Sequence, residues 1–343
     1  MSIPAAVPSS MRRRSYIFGG LSLMAMVILG VTVGPVRIGA GAALREITDR
    51  VLPLSVDSGL SEQDAAIIWQ LRAPRVVLGA MVGAMLATAG GAYQGVFRNP
   101  LADPYLLGVA AGAGLGATAA LAAGAGADTL PVAAFAGAVL AVGATYYFAR
   151  AAGGRRTPAT LILAGVAVGS FLAAVQTFLQ QQSSDRIREV FTWLLGRLSA
   201  STWSQVVTVL PYVVVSLAVL FAYRRVLDVL SVGEEEAATL GVKPVRARLV
   251  IIAAATLGSA AVVSMTGLIG FVGIVVPHAV RMVAGVSYRV ILPLSMVVGA
   301  AFLLAADLLA RTVISPGELP IGVVTAFVGA PFFAVILRRR EAS

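Results

Sequence analysis

The sequence predicts an all-α membrane protein: a single domain over residues 1–343 that crosses the bilayer about ten times. Of its 343 residues, 58% are hydrophobic and only 12% are charged, and the mean hydropathy is +0.90. A soluble domain carries about twice that charged fraction. The apolar residues form long runs, whereas a membrane β-barrel would show alternating segments of about 10 residues. We therefore expect a bundle of transmembrane helices.

The first apolar run, 16–36, follows the consecutive arginines Arg12 to Arg14. It is longer than the apolar core of a signal peptide, which has about 7–15 residues, so we interpret it as a retained span with its N-terminus inside. Asp103 before Pro104 has the pattern of a helix N-cap and is expected to open the third span. The spans after the first are predicted at 73–95, 105–123, 131–149, 158–179, 206–223, 249–264, 267–285, 290–309 and 321–337.

Basic residues predict the orientation of these spans. Most of the 26 Lys and Arg residues lie on segments that share one side of the membrane, so the positive-inside rule places both termini in the cytoplasm. The polar segments 37–72 and 180–205 are then external, the second with a short interfacial helix at 187–195. The net charge of +10 does not indicate nucleic-acid binding, because the basic residues cluster at the ends of apolar runs.

The stretch 228–248 is a short polar island that the charge distribution places in the cytoplasm. Ser231 and Glu234 have the spacing of a capping box, which predicts a helix over about 231–242 with its acidic residues in the first turn. Gly241 is expected to end this helix, and Pro244 bars its continuation. A capped helix outside the bilayer is a candidate contact for a soluble partner. A solvated helix face is the alternative interpretation.

The sequence carries little that could power transport or perform catalysis. It has no G-x-x-x-x-G-K-[ST] phosphate loop, and its only lysine, Lys243, stands in no such context. There is no cysteine and one histidine, His278, so no metal site or cofactor is predicted. Asp307 precedes Arg311 by four residues, which favours an ion pair along one helix over a buried proton carrier. No nucleophile, base or metal set indicates an enzyme.

Two groups of polar residues near the predicted outer side are candidate site residues. Arg72 and Arg75 share one helix face at the outer mouth of the second span, and Arg311 lies on the same side. Snorkelling at the interface is one interpretation, and contact with an anionic partner is the other. Gln176 and Gln180, near the outer end of the fifth span, could offer neutral hydrogen-bonding groups to a cargo.

Six segments of the chain carry a resemblance to known proteins: LRAPRVVLGAMVGAMLATAGGAYQGVFRNPLADPYLLGVAAGAGLGA (71–117), LILAGVAVGS (161–170), WLLGRLSASTW (193–203), GEEEAATLGV (233–242), TGLIGFVGIVVPHAVRMV (266–283) and DLLARTVISPGELPIGVVTAFVGAPFF (307–333). Together they resemble the FecCD family of permease subunits from bacterial type II ABC importers for iron–siderophore complexes, haem and vitamin B12. They occur in the family's order and cover most of the chain.

The resemblance implies roles for individual residues. The loop matching 231–242 would be the coupling helix gripped by two cytoplasmic ATPase subunits, and Arg72, Arg75 and Arg311 would meet acidic residues of an extracytoplasmic binding protein. The fifth span and the segment after it would line the translocation path, with Thr157 and Thr160 at its inner start and Gln176 and Gln180 further out. The implied coupling residues are Ser231, Glu234, Glu235, Glu236, Ala237, Leu240 and Gly241.

The expected function is therefore that of a permease, not an enzyme, in an ATP-driven importer of the bacterial inner membrane. A second permease copy or a paralogue would complete the path, with membrane lipid around it. The expected cargo is an iron(III)–siderophore, with haem or cobalamin as the alternative within the family. A proton-coupled secondary transporter is the alternative of a different class; it would have to use Asp307 or His278 as its proton-coupling group.

Overall fold

The protein is described by a computed structural model that covers residues 9–34, 36, 38–51, 58–126, 128–151, 158–182 and 186–341. Every regular element in these ranges is helical. The α-helices are α1 (Ser9–Thr32), α2 (Ala40–Val51), α3 (Glu62–Ala66), α4 (Ala73–Phe97), α5 (Val109–Ala122), α6 (Thr129–Ala151), α7 (Pro158–Gln182), α8 (Ile187–Leu194), α9 (Trp203–Ala222), α10 (Arg224–Val232), α11 (Glu234–Thr239), α12 (Pro244–Thr266), α13 (Val272–Ala284), α14 (Tyr288–Thr312) and α15 (Ile321–Glu341). A π-helical turn, Ile67–Arg72, joins α3 to α4, and a 3-10 turn, Pro104–Leu107, precedes α5.

The all-α prediction is confirmed, and each predicted span coincides with a helix. Among the described residues, 7 helical segments are long and apolar enough to cross a membrane: Arg13–Thr32, Glu62–Phe97, Thr129–Ala151, Ala159–Gln182, Trp203–Ala222, Pro244–Thr266 and Tyr288–Thr312. Three predicted spans correspond to shorter apolar helices, Val109–Ala122, Val272–Ala284 and Ile321–Val335. Helices of this length cross the bilayer only together with their flanking turns, so the number of crossings stays a prediction.

Helix α4 forms the centre of the bundle and is buried along nearly its whole length. It packs against α14 where Gly83 meets Gly299, and a Cβ on Gly83 would lie 2.8 Å from the Cβ of Leu303 and overlap the Gly299 carbonyl. Small residues let helix backbones approach this closely in a membrane, where packing replaces the hydrophobic effect as the force between helices. A larger side chain at Gly83 would therefore force α4 and α14 apart.

Asp103 caps a helical turn as predicted, but that turn is not the start of the third span. Its carboxylate accepts hydrogen bonds from the backbone N–H groups of Tyr105 at 2.9 Å and Leu106 at 3.1 Å, within the 3-10 turn. Gly108 then takes φ +86°, a left-handed conformation that interrupts the helix, so α5 begins at Val109. Burial raises the pKa of Asp103 to about 6, against the lowering effect of the two N–H donors.

Both segments that were predicted to be external contain helix, and the first contains helices that the sequence did not predict. The interfacial helix expected at 187–195 is present as α8, Ile187–Leu194. For the segment 37–72 the sequence indicated only a polar stretch, and the structure adds α2, α3 and the π-helical turn that runs into α4. Helix α2 is amphipathic: Ile47 packs against a small core cluster while Arg45 and Arg50 are exposed. Apolar residues at helical spacing were the signal that could have identified it.

Candidate functional site

The helix predicted from Ser231 begins later than expected, and the predicted capping box is wrong. Ser231 lies in the last turn of α10, and its hydroxyl donates to the Asp228 carbonyl at 2.7 Å. An N-cap needs an extended backbone, which Ser231 lacks because it is still helical. The extended residue is Gly233, with φ 165° and ψ 160°, and no side chain caps α11. The soluble island therefore consists of two short helices.

The other end of α11 agrees with the prediction. The helix carries its three glutamates in the first turn, where the helix dipole favours them, and ends at Thr239. Gly241 follows with φ +79°, and the Val242 N–H donates to the Ala237 carbonyl at 3.0 Å. Pro244 begins α12. The confirmed signals are thus the terminating glycine and the proline after it.

Two residues of α11 hold the helix against the bundle. Ala237 is completely buried, and Glu234 forms an ion pair with Arg248 near the start of α12. The Arg248 side chain is only 5% exposed, so Glu234 neutralises a largely buried cation. Glu234 is therefore a structural contact of α11.

The outward side of α11 carries both acidic and aliphatic side chains. Glu235 and Glu236 are exposed, and the side chains of Val232 and Leu240 on either side of the helix are 69% and 70% exposed. We call Val232, Glu235, Glu236 and Leu240 the α11 surface. Exposed aliphatic residues beside charges, outside the apolar spans, are typical of a protein contact.

Asp228 connects α10 to α14, a role for which the sequence offers no local signal. Its carboxylate accepts hydrogen bonds from the Tyr288 N–H at 2.5 Å and from the Ser287 hydroxyl at 2.9 Å. Arg289 lies 3.5 Å away. Asp228 therefore supplies from another helix the cap that the N-terminus of α14 needs. Through Asp228 and the pair Glu234–Arg248, the soluble helices are joined to two long spans, α14 and α12.

On the opposite side of the protein, Arg75 is held between two carboxylates. It donates to Asp307 through Nε at 3.0 Å and Nη2 at 2.8 Å, and to Glu318 through Nη1 at 2.8 Å and Nη2 at 2.9 Å. Asp307 is 1% exposed, and the Glu318 side chain is 36% exposed. The predicted pair of Asp307 with Arg311 is also present, at 3.6 Å. The sequence did not indicate Glu318 as a site residue, because it lies in a connection that contains proline and glycine and no pattern of charges around it suggests a partner.

The structure brings the three predicted docking arginines together, but all three are buried, Arg75 at 9% exposure. Arg72 donates to the carbonyls of Val31 at 2.7 Å and Thr32 at 2.8 Å, and Arg311 donates to that of Gly30 at 2.8 Å. These carbonyls lie at the C-terminal end of α1, where positive charge is favourable. Arg72 and Arg311 are 6% and 5% exposed. They are therefore inaccessible to a soluble partner in this conformation, and snorkelling does not describe them either.

The predicted path residues of α7 are only partly accessible. Thr157 lies outside the described residues, and Thr160 is half-buried. Gln176 lies against α5: a Cβ on Gly114 would stand 2.8 Å from its carboxamide oxygen. Gln180 is half-buried. Four large apolar side chains of α7 are strongly exposed: Leu163, Val166, Phe171 and Phe178.

Asp307 and His278, the two side chains that a proton-coupled carrier could use, both contact other side chains. Asp307 is paired with Arg75 and Arg311, and His278 is 8% exposed and packs edge-on against Phe332 at 6.4 Å between ring centroids. Charged carboxylates and packed imidazoles of this kind are structural contacts.

The described residues form a helical bundle with the short helices α10 and α11 at one end and the ion pairs of Arg75 at the other, the architecture of a multi-span membrane protein. The chain belongs to the FecCD transport family, whose sequence profile matches residues 22–339. It is 43% identical over 360 residues to the cobalamin import system permease protein BtuC of Halobacterium salinarum, covering 94% of this chain and 95% of the relative. It is 38% identical over 338 residues to the Fe(3+)-citrate import system permease protein YfmD of Bacillus subtilis, covering 96% and 98%.

The fold is also that of a solved transporter. A structure described as an inward-facing conformation of a metal-chelate type ABC transporter matches with a TM-score of 0.84 and 28% identity, covering 95% of this chain and 99% of that chain. The protein is therefore a permease subunit of an ABC importer and not an enzyme, as the sequence predicted. Permeases of this class work with ATPase subunits and substrate-binding proteins, so the secondary-transporter alternative is set aside.

Proposed function

We propose that the α11 surface is where a cytoplasmic ATPase subunit binds. The observation that carries this proposal is that the two sides of α11 differ. Glu234 and Ala237 face the bundle, while Glu235, Glu236 and Leu240 face outward. An exposed aliphatic side chain supplies the buried centre of an interface, and the two carboxylates supply its charged rim. The positive-inside prediction places this surface in the cytoplasm, where ATP is available.

The two anchors of the soluble helices would carry ATPase movement into the membrane. Asp228 holds α10 to the start of α14, and Glu234 holds α11 to Arg248 of α12. A rotation of the α10–α11 pair therefore acts on two long helices that both pack on the central α4. Of the residues expected from the sequence to couple, Glu235, Glu236 and Leu240 would contact the ATPase. Ser231, Glu234, Ala237 and Gly241 would shape the helix pair that presents them.

On the outer side, we propose that a substrate-binding protein docks over the polar cluster around Arg75. A cavity of about 150 Å³ opens there, lined among others by Arg75, Arg197, Ser199 and Glu318, and Arg197 is exposed. Acidic residues of the partner would meet the exposed Arg197, while Arg75 stays paired with Asp307 and Glu318 beneath it. Arg72 and Arg311 would support this site from beneath by holding the end of α1.

A second permease copy or a paralogue would pack against the exposed apolar face of α7 and complete the path. Leu163 and Phe171 on this face are 72% and 68% exposed, more than a helix sealed inside its own bundle would leave open. Thr157, Thr160, Gln176 and Gln180 remain the proposed polar groups of that path. Ten crossings with both termini inside, in a plasma membrane, complete the proposed arrangement.

The proposed cargo is a metal chelate, an iron(III)–siderophore as the sequence predicted. Cobalamin is the second candidate, because a relative named for cobalamin import is 43% identical over nearly the whole chain. A chelate of either kind is too large for a narrow selective pore, so specificity would lie mainly with the binding protein and not with this chain.

Reconstitution tests the proposal directly. The chain is placed in liposomes with a candidate ATPase and binding protein, and uptake of a ferric siderophore, haem and cobalamin is measured with ATP or with an ion gradient alone. We expect uptake only with ATP, and the cargo that is taken up identifies the chelate. Uptake driven by the gradient without the ATPase would contradict the proposed energy source, and transport of cobalamin alone would replace the siderophore as cargo.

A further inference from the structure

A second, larger cavity of about 610 Å³ opens on the predicted outer side, between α2, α3, the π-helical turn and the start of α9. Its lining includes the indoles of Trp69 and Trp203, the charged side chains of Arg50 and Glu62, and the amide of Gln70. It shares no lining residue with the cavity beside Arg75. The docking site proposed around Arg75 therefore does not include it.

The aromatic walls of this cavity are held in place by hydrogen bonds. The indole N–H of Trp69 donates to Glu46 at 3.1 Å, and that of Trp203 donates to the backbone carbonyl of Trp69 at 2.7 Å. A capping box between Thr202 and Gln205 orders the first turn of α9. Since both indole N–H groups are satisfied, the rings offer apolar faces to the cavity.

The two charged groups of the cavity have opposite signs and both are exposed. The guanidinium of Arg50 stands 5.4 Å from the centroid of the Trp69 ring, and Glu62 lies in the first turn of α3. A guanidinium binds phosphate oxygens, while a carboxylate beside an indole face binds an ammonium group. A ligand with a phosphate and an ammonium a few bonds apart matches this pair. A purely anionic ligand would meet the Glu62 carboxylate.

An exposed apolar stripe leads from the cavity along α9. Trp203, Val207, Leu210 and Val214 follow one another at helical spacing on one face, and they are 40%, 66%, 46% and 54% exposed. Helix α9 is long and apolar enough to cross the membrane, so this face lies against lipid. Tryptophans at the end of such a helix mark the level of the lipid headgroups. The stripe is suited to an acyl chain below a polar head.

We propose that this cavity binds the headgroup of a zwitterionic phospholipid of the phosphoethanolamine type, with one acyl chain along the α9 stripe. Arg50 and Gln70 hold the phosphate, Glu62 and the indole of Trp203 hold the ammonium, and Trp69 forms the wall between them. The site lies in the outer leaflet, and it tethers α2 and the π-helical turn to the membrane surface. This inference does not depend on the identity of the cargo or of the ATPase.

Native mass spectrometry of the full chain tests the proposal. The chain is purified with an equimolar mixture of phosphatidylethanolamine and phosphatidylglycerol that have identical acyl chains. We expect phosphatidylethanolamine to be retained at least about threefold over phosphatidylglycerol, the effect of one partly exposed charge pair. Glu62→Lys should reverse this preference. Asp128→Lys, a charge reversal at an exposed residue of the predicted outer side that does not line the cavity, should leave it unchanged.

Equal retention of the two lipids by the unmodified chain overturns the proposal, as does a Glu62→Lys variant that keeps the original preference. Soluble glycerophosphoethanolamine has the same headgroup but no acyl chain, so it tests whether the chain contributes to binding. It should not displace the lipid. Complete displacement would show that the α9 stripe does not bind an acyl chain. Should Glu62→Lys weaken the docking of a soluble binding protein while lipid retention stays the same, the cavity is a protein contact instead.

Fluorescence gives a second measurement that does not require a charge reversal. The chain has 3 tryptophans, of which Trp193 is buried at 5% exposure. Phosphatidylethanolamine brominated near the top of its acyl chains should quench the emission more strongly than brominated phosphatidylglycerol. Trp203→Phe should remove most of that difference. Quenching of equal strength by both lipids in the unmodified chain contradicts the site.

Discussion

Asp228 of α10 caps the start of α14 by accepting the backbone N–H of Tyr288 at 2.5 Å. The two residues are 60 positions apart in the sequence, and the contact joins the soluble helices to a membrane span. Replacing Asp228 by Ala should destabilise the protein by about 1–2 kcal/mol, because the first turn of α14 loses its only described side-chain cap. Thermal unfolding in detergent measures this change.

The matched control for that variant is Ser231→Ala. The Ser231 hydroxyl is exposed and bonds a carbonyl of its own helix, so its loss should change stability by no more than about 0.5 kcal/mol. A Ser231→Ala variant as unstable as Asp228→Ala would show that the α10–α11 connection depends on the hydroxyl after all.

The glutamates of α11 should separate into one structural and two binding residues. Glu235→Lys with Glu236→Lys should reduce co-purification with the ATPase and leave the melting temperature nearly unchanged, since both side chains are exposed. Glu234→Lys should lower stability by about 2 kcal/mol, because it replaces the ion pair with a second positive charge beside the largely buried Arg248. Full co-purification by the double variant would rule out a role of these carboxylates in ATPase binding.

The two carboxylates around Arg75 should differ strongly in their contribution. Asp307→Asn leaves a buried guanidinium without its main partner and should cost about 3 kcal/mol. Glu318→Gln should cost less than about 1 kcal/mol, because the Glu318 side chain is 36% exposed. Urea or thermal unfolding of both variants measures the difference, and equal losses would mean that burial does not decide the strength of these pairs.

Docking of the binding protein should depend on the charge of this outer cluster. Arg197→Glu changes an exposed lining residue of the cavity beside Arg75 and should weaken docking, with a larger effect at low salt than at high salt. Arg72→Gln should instead lower stability, because its bonds to the end of α1 are lost. A docking constant that is indifferent to both the Arg197 charge and the salt concentration would exclude this surface.

Asp103 should make stability depend on pH in an unusual direction. Its pKa is about 6 in the folded protein and about 3.9 in an unfolded chain, so the folded state holds the proton more tightly. Its stabilising effect is complete below about pH 4 and is lost as the pH rises through about 6. Asp103→Asn keeps the cap and cannot ionise. The variant should therefore exceed the unmodified protein by about 2 kcal/mol at pH 7.5 and match it near pH 4, as measured by melting at both values.

Features encoded within a few residues were predictable from the sequence. Apolar runs predicted the long helices, Gly241 and Pro244 predicted the end of α11, and the spacing of Asp307 and Arg311 predicted their ion pair. Each of these depends on backbone conformation or on neighbours one turn away. The Ser231 prediction was wrong because the same spacing arises when a serine belongs to the last turn of the preceding helix.

Contacts between distant parts of the chain could not be predicted in this way. Arg75 and Glu318 are 243 positions apart, and no local pattern shows that the connection after α14 folds back over α4. The inward direction of Arg72 likewise depends on where α1 ends in space. A charged residue at the end of an apolar run has the same sequence signature whether it faces water or supports a neighbouring helix.

The exposed aliphatic side chains of Val232 and Leu240 also have a consequence for the cell. If the α11 surface binds an ATPase in the cytoplasm, as proposed, a newly made permease exposes these apolar side chains until the ATPase covers them. Chaperones and quality-control proteases recognise such surfaces. An orphan subunit should therefore be short-lived, and its abundance should follow that of its partner. The α11 surface would then have two roles. It would transmit movement in the assembled importer, and while uncovered it would mark a subunit that has not been assembled.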